Sequence, residues 1–152
     1  MLDRVANAAL MPLFQACARR LVRAGVGADT VSLVGFGIGA VAAVAIAMQS
    51  YIAGLVLMLI SRLADGLDGP VARLTQPTDR GAFLDICLDF LFYASIPLAF
   101  AIADPAANAL PAAVLLAAFI GTGASFLAFA VLAQKQVLTI GRIEEVADQD
   151  GA

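Results

Sequence analysis

The feature that most restricts the fold is a run of eighteen residues, 31–48, that contains no charged side chain. A helix of this length and composition can cross the hydrocarbon core of a bilayer. The rest of the chain agrees with this interpretation, because 62% of its 152 residues are hydrophobic and 14% are charged. Soluble domains carry about 25% charged residues, and a soluble protein of this size could not cover so much apolar surface. We therefore expect an integral membrane protein.

Three further apolar segments follow the first one, and polar or turn-forming residues separate them. The four predicted helices cover residues 31–48, 51 to about 73, about 81 to 102, and 110–133. The predicted fold is an all-α, polytopic transmembrane bundle with four spans.

The two ends of the chain differ from this bundle. Residues 1–27 contain apolar and cationic residues in alternation, which is typical of an amphipathic helix in the membrane interface. A short surface helix packed on the bundle is the alternative. Residues 31–134 are expected to form the four-helix transmembrane domain. Residues 135–152 are polar and acidic, and we expect them to form a frayed tail.

All nine cationic residues fall on one side of the predicted four-span arrangement. Four arginines precede the first span, three surround the connection between the second and third spans, and two cations follow the fourth span. Cytoplasmic loops of membrane proteins carry an excess of lysine and arginine. The count therefore predicts that both termini and the second connection lie in the cytoplasm.

Four aspartates stand in this second connection and the helices beside it. Asp65 and Asp68 are three residues apart, and Asp85 and Asp89 are four apart. On helices, each spacing places the two side chains on one face. Four carboxylates close together repel one another unless cations lie between them. The chain has no histidine, and sites made only of oxygen ligands suit Mg²⁺, Mn²⁺ or Ca²⁺. The pattern predicts a divalent-metal site near the membrane surface.

Two patterns have alternative interpretations. The aspartates would need no metal if they only formed ion pairs with Arg62, Arg73 and Arg80. Gly35 and Gly39 form a GxxxG spacing in the first span, which permits close helix packing. That packing would occur either between two copies of the chain or within one subunit.

The aspartate region resembles the signature of the CDP-alcohol phosphatidyltransferases. That signature reads D-x-x-D-G-x-x-A-R and, after a spacer, G-x-x-x-D-x-x-x-D. The matching residues are Asp65, Asp68, Gly69, Ala72, Arg73, Gly81, Asp85 and Asp89. Residues 25–32 are also similar to the element that precedes the first span in this family, with Ala28 in place of a proline and Ser32 in place of a threonine.

The resemblance implies an enzyme of phospholipid biosynthesis that is integral to the cell inner membrane and forms a homodimer. It would transfer a phosphatidyl or related phospho-alcohol group from a CDP-linked lipid donor to a small alcohol and release CMP. The resemblance implies that Asp65, Asp68, Asp85 and Asp89 hold two divalent cations, Mg²⁺ or Mn²⁺, and that Asp89 also accepts the proton of the acceptor. The residues expected to contact the CDP group are Asp29, Gly69, Ala72, Arg73, Thr78 and Gly81. Residues 1–30 are expected to form the amphipathic helix and an element on the nucleotide side of the site. No nucleic-acid partner is expected.

Members of this family usually have six spans, whereas four are predicted here. We therefore expect a short or C-terminally truncated member. Three alternatives stay open at this point: an inactive remnant, a bundle that binds or transports divalent cations, and a membrane prenyltransferase. Only one set of aspartate motifs is present, whereas membrane prenyltransferases repeat theirs.

Overall fold

A computed structural model describes the backbone of residues 2–150 and the side chains of residues 11–136. Within this part of the chain the polypeptide forms five consecutive α-helices. They are α1 (Leu2–Arg23), α2 (Ala28–Ala47), α3 (Tyr51–Leu74), α4 (Asp79–Ala103) and α5 (Pro105–Asp150). The prediction of an all-α fold is confirmed.

Among the described residues, three helical segments are long and apolar enough to cross a membrane. They are Ala28–Ala47 in α2, Asp79–Ala103 in α4 and Pro105–Gln136 in α5. These segments correspond to the first, third and fourth predicted spans. Helix α3 begins with an apolar run, but its second half carries several charged residues. A fourth span at α3 stays a prediction.

The turns that end α1 and α2 share one backbone geometry. After α1, Gly25 has a φ of +77°, its N–H donates to the carbonyl of Val22, and the N–H of Val26 donates to that of Leu21. This is the Schellman arrangement that closes many helices. After α2 the same pair of hydrogen bonds forms around Gln49, which has a φ of +63°. A residue other than glycine in this conformation is uncommon.

Gln49 also forms a tertiary contact. Its side-chain amide donates a 2.8 Å hydrogen bond to the carbonyl oxygen of Ala103, the last residue of α4. Nearby, the rings of Tyr51 and Phe100 are stacked with centroids 5.9 Å apart. These contacts join the turn between α2 and α3 to the end of α4.

Helix α1 packs against α3. Ala18 of α1, Val31 of α2 and Val71 of α3 form a buried apolar cluster. The partly buried side chains around it are Leu21, Val22, Val26, Ala28 and Leu67. An interfacial position of α1 in a membrane stays a prediction.

Helix α2 packs against both α3 and α4, and its two GxxxG glycines make this possible. A Cβ atom on Gly39 would lie 2.6 Å from the Phe92 ring and 2.9 Å from Oγ of Ser61, which leaves no room for a larger residue. The hydroxyl of Ser61 donates a 2.7 Å hydrogen bond to the carbonyl oxygen of Gly35. Both glycines are buried, so the GxxxG spacing serves packing within one subunit.

The chain divides into two compact units, Met1–Ala113 and Val114–Ala152. The first contains α1 to α4 and the start of α5. The second contains the rest of α5, whose backbone is helical as far as Asp150. The helix therefore continues where we expected a frayed tail. The side chains of residues 137–152 lie outside the described residues.

Candidate active site

Three of the four predicted aspartates lie together. Asp65 and Asp68 project from α3 and Asp85 projects from α4, and each offers a carboxylate oxygen within 4.8 Å of the other two. All three side chains are partly buried. Helix α2 packs against both helices and so holds the three carboxylates at this separation. We call these three residues the carboxylate cluster.

The carboxylate cluster fits a hard divalent cation. Its donor atoms are all carboxylate oxygens, the ligand type that Mg²⁺ and Mn²⁺ bind in proteins. Three anionic groups at this distance also repel one another, and a cation among them would relieve the repulsion. The geometry therefore agrees with the metal prediction for these three residues.

The fourth predicted aspartate has a different partner. Oδ1 of Asp89 lies 2.8 Å from Nη1 of Arg62, and the same nitrogen lies 3.3 Å from Oδ2 of Asp65. Arg62 thus joins Asp89 to one member of the carboxylate cluster. The ion-pair alternative applies to Arg62, which contacts Asp89 and Asp65. It does not account for the close grouping of Asp65, Asp68 and Asp85.

Arg62 was not among the predicted site residues. Its guanidinium carbon lies 3.8 Å from the centroid of the Phe92 ring, a distance typical of a cation–π contact. The signal in the sequence was its position three residues before Asp65, since residues with this spacing are neighbours on a helix. The contact with Asp89, 27 residues later, carries no such signal.

A second residue outside the predicted set orients the carboxylate cluster. Ser32 of α2 is 8% exposed, and its hydroxyl donates a 2.7 Å hydrogen bond to Oδ2 of Asp68. Metal-binding carboxylates are commonly fixed by such a hydrogen bond. Ser32 had been noted only as the replacement of a threonine.

A cavity of about 400 Å³ lies beside the carboxylate cluster. Its walls come from the start of α2, the end of α3, the loop after α3 and the start of α4. The lining residues are Gly27, Ala28, Asp29, Ser32, Asp68, Gly69, Ala72, Thr75, Gln76, Pro77, Thr78, Gly81, Ala82 and Asp85. Asp68 and Asp85 therefore face the cavity and belong to the cluster at the same time.

Five of the six residues expected to contact the CDP group line this cavity: Asp29, Gly69, Ala72, Thr78 and Gly81. The sixth, Arg73, is exposed and is not a lining residue. Its guanidinium lies close to Gly69, where an added Cβ atom would be 3.5 Å from Nη1.

The start of α4 forms one part of the cavity wall. Thr78 caps this helix, because its hydroxyl oxygen accepts a 3.0 Å hydrogen bond from the N–H of Gly81. A Cβ atom on Gly81 would lie 3.1 Å from both Oδ1 of Asp29 and Oγ1 of Thr78. Arg80 forms an ion pair with Asp29 at 3.7 Å. Glycine at position 81 therefore lets the start of α4 approach α2 closely.

Comparison with known proteins agrees with this geometry. Residues 26–147 match the model of a family described as CDP-alcohol phosphatidyltransferase. The chain belongs to the CDP-alcohol phosphatidyltransferase family. The resemblance inferred from the aspartate region is thus confirmed.

Two curated relatives are similar to the chain. One is the inner membrane protein YnjF of Escherichia coli strain K12, which is 53% identical over 135 residues. The other is the archaetidylinositol phosphate synthase of Methanothermobacter thermautotrophicus, which is 36% identical over 91 residues. These alignments cover 89% and 56% of this chain, and 66% and 47% of the relatives. The chain thus spans less than two thirds of either relative. No solved structure gives a significant match.

Family membership indicates the general class of chemistry. The family acts in phospholipid synthesis and is known for the use of divalent cations, which agrees with the donor set of the carboxylate cluster. Its members take a CDP-linked donor and an alcohol acceptor in the presence of membrane lipids.

Proposed function

We propose that this protein transfers a phosphatidyl or related phospho-alcohol group from a CDP-linked lipid donor to an alcohol acceptor, with release of CMP. The observation that carries the proposal is the shared position of Asp68 and Asp85, which belong to the carboxylate cluster and also line the cavity. A donor whose cytidine lies in the cavity would therefore present its diphosphate to the carboxylates. The cytidine and the diphosphate of such a donor would then lie beside each other.

The cavity residues would bind and orient the nucleotide. Gly69, Ala72 and Gly81 have small side chains or none, which leaves room for a base and ribose to approach the backbone. Thr78 and Asp29 would offer polar contacts, and Arg73 would reach the CDP group from beside Gly69. Together these residues would fix the β-phosphorus next to the carboxylate cluster.

The four aspartates would hold two divalent cations, Mg²⁺ or Mn²⁺. Such ions, when bound, neutralise the diphosphate and stabilise the attacking and leaving oxygens of a displacement. Asp65, Asp68 and Asp85 already have the donor set for one ion. Asp89 would complete the second position.

Asp89 would also receive a proton. The acceptor hydroxyl oxygen forms a bond to the β-phosphorus while the bond from that phosphorus to the CMP oxygen breaks. The hydroxyl proton passes to a carboxylate oxygen of Asp89, and CMP leaves with the bonding electrons. A general base contributes about 10²- to 10⁴-fold to the rate of such a step.

We also propose how the protein lies in the membrane. The three apolar helical segments, together with α3 as a fourth span, would cross the inner membrane. The distribution of the nine cations supports a cytoplasmic position for both termini and for the site. A homodimer is proposed from the family alone.

The proposal is tested by measuring CMP release. Purified protein in detergent or liposomes is supplied with Mn²⁺ or Mg²⁺, a CDP-diacylglycerol donor and a panel of acceptors: glycerol phosphate, inositol phosphate, serine and choline. We expect CMP release with one acceptor, and a fall of about 10²-fold or more for Asp89→Asn. Asp79→Asn removes an exposed carboxylate that does not line the cavity and serves as the control.

Two results would contradict the proposal. A folded protein that binds Mn²⁺ and CDP but releases no CMP with any acceptor would be a remnant without turnover. A folded protein that binds Mn²⁺ but not CDP would favour a cation-binding bundle instead.

A further inference from the structure

Arg62 contacts the aspartate region, where four carboxylates lie close to one another. Its Nη1 atom is 2.8 Å from Asp89 and 3.3 Å from Asp65, so one guanidinium nitrogen contacts two of the four carboxylates. The four aspartates carry four negative charges when all are ionised, and Arg62 is a cation within 4 Å of two of them. The signature that identifies the family does not include this position.

The protein holds Arg62 in this place through its aromatic neighbour. The guanidinium carbon lies 3.8 Å above the Phe92 ring. Phe92 is 3% exposed, and its ring packs directly on Gly39, where a Cβ atom would meet it at 2.6 Å. Arg62 therefore has a fixed aromatic surface beside it in addition to its contacts with Asp89 and Asp65.

The ion pair with Asp89 does not have the geometry of the strongest arginine–carboxylate pairs. Both carboxylates are bound through Nη1 alone, rather than through the two-nitrogen fork that gives arginine its strongest carboxylate pairs. The buried Nε atom has no hydrogen-bond partner among the described residues. Asp89 can thus leave Arg62 while the guanidinium keeps its contact with Phe92.

We propose that Arg62 is a positioning residue that binds Asp89 in place of a divalent cation, so that the site takes up its two cations in a fixed order. The inference rests on the two-cation site of the proposed function. The first cation binds the carboxylate cluster, which does not include Asp89. The second cation binds Asp89 and has to displace Arg62 from it. Arg62 thereby keeps Asp89 oriented and its charge compensated until the site is loaded.

The test is a Mn²⁺ titration in the absence of donor lipid, with bound Mn²⁺ measured by electron paramagnetic resonance. We expect two separate binding steps for the wild-type protein. In Arg62→Gln, the competing cation is gone, and the dissociation constant of the second step should fall by about 1.4- to fivefold, the range of a partly exposed ion pair. Arg62→Lys keeps the positive charge and should keep the second step weak.

Arg23→Gln is the matched control, because it also removes one positive charge but from an exposed site at the end of α1. It should leave both binding steps unchanged. A second step that is equal or weaker in Arg62→Gln than in the wild type would overturn the inference. A loss of cation binding in Arg62→Gln while the variant stays folded would overturn it as well.

A second measurement uses the wild-type protein, so its outcome does not depend on whether a variant folds. In ¹⁵N-labelled wild-type protein titrated with diamagnetic Mg²⁺, the guanidinium resonance of Arg62 should shift more in the second binding step than in the first, because Nη1 lies closer to Asp89 than to Asp65. A shift that is complete in the first step would contradict the order proposed.

The outcomes also separate this inference from the proposed function. Two binding steps that Arg62→Gln does not alter would remove the inference and leave the two-cation site intact. A folded wild-type protein that binds no Mn²⁺ would remove both. CMP release without a change in the second step would likewise support the function and contradict the role of Arg62.

Discussion

The hydroxyl of Ser32 and the carboxylate of Asp68 form a 2.7 Å hydrogen bond that joins α2 to α3. Ser32 is buried, whereas the three aspartates of the carboxylate cluster are only partly buried. Asp68 also lines the cavity. One hydrogen bond therefore sets the direction of a carboxylate that serves both the cavity and the cluster.

Ser32→Ala should weaken cation binding without unfolding the protein. The variant frees Asp68 to rotate, and loss of a hydrogen bond that orients a metal ligand costs about 10- to 100-fold in affinity or activity. Ser32→Thr keeps the hydroxyl and should retain most of the affinity. Mn²⁺ dissociation constants measured for the three proteins decide the matter, and equal values for Ser32→Ala and the wild type would disprove the role of this bond.

Asp85→Asn should abolish the stabilisation that a cation provides. A ligand that binds only the folded state raises its stability by about 2.7 kcal/mol at one hundred times its dissociation constant. We therefore expect Mn²⁺ to raise the melting temperature of the wild type and of Asp79→Asn, but not of Asp85→Asn. Chelation by EDTA should reverse the increase. An equal increase in all three proteins would show that Mn²⁺ binds elsewhere.

Gly39→Ala should destabilise the fold. Its Cβ atom would lie 2.6 Å from the Phe92 ring, and overpacking of this kind costs about 1–3 kcal/mol. Gly37→Ala is the matched control on the same helix, since its Cβ atom would meet nothing within 4 Å. Thermal unfolding in detergent compares the two, and a Gly39→Ala protein as stable as Gly37→Ala would contradict the packing described for α2.

Gly81→Ala should weaken binding of the CDP-linked donor more than it affects the fold. The added methyl group would lie 3.1 Å from Asp29 and Thr78, so both cavity residues have to move. We expect the KM for the donor to rise by about tenfold, which corresponds to about 1.4 kcal/mol, with a smaller change in kcat. Gly37→Ala again provides the control. A fall in kcat at unchanged KM would argue that position 81 does not lie beside the nucleotide.

The sequence was informative about α2, α3 and the loop before α4, where the pattern within one segment decides the property. The charge-free run at 31–48 predicted α2 (Ala28–Ala47) closely, and the turn residues after Leu74 marked the short loop before α4. The spacing of Asp65 and Asp68 placed both on one face of α3, because neighbours on a helix surface are three or four residues apart. These features require no knowledge of how helices pack.

Partners on different helices were harder to predict. Asp89 lies four residues beyond Asp85 on α4, which moves it about 6 Å along the helix. At that position along the helix axis, Asp89 contacts Arg62 of α3 and does not join the carboxylate cluster. Helix length, composition and spacing do not fix this register between two helices. The same reason explains why Ser32 was overlooked, since its contact with Asp68 depends on how α2 packs against α3.

The link between Gln49 and Ala103 has a consequence for how substrates enter. It lies at the end of the first unit where α2 and α4 finish, whereas the cavity lies at the end where α2 and α4 begin. The far end is therefore fixed by a side-chain hydrogen bond and by the stacked rings of Tyr51 and Phe100. In the proposed function, we therefore expect any rearrangement around the donor to occur at the cavity end, in the loop of residues 75–78, rather than at the far end.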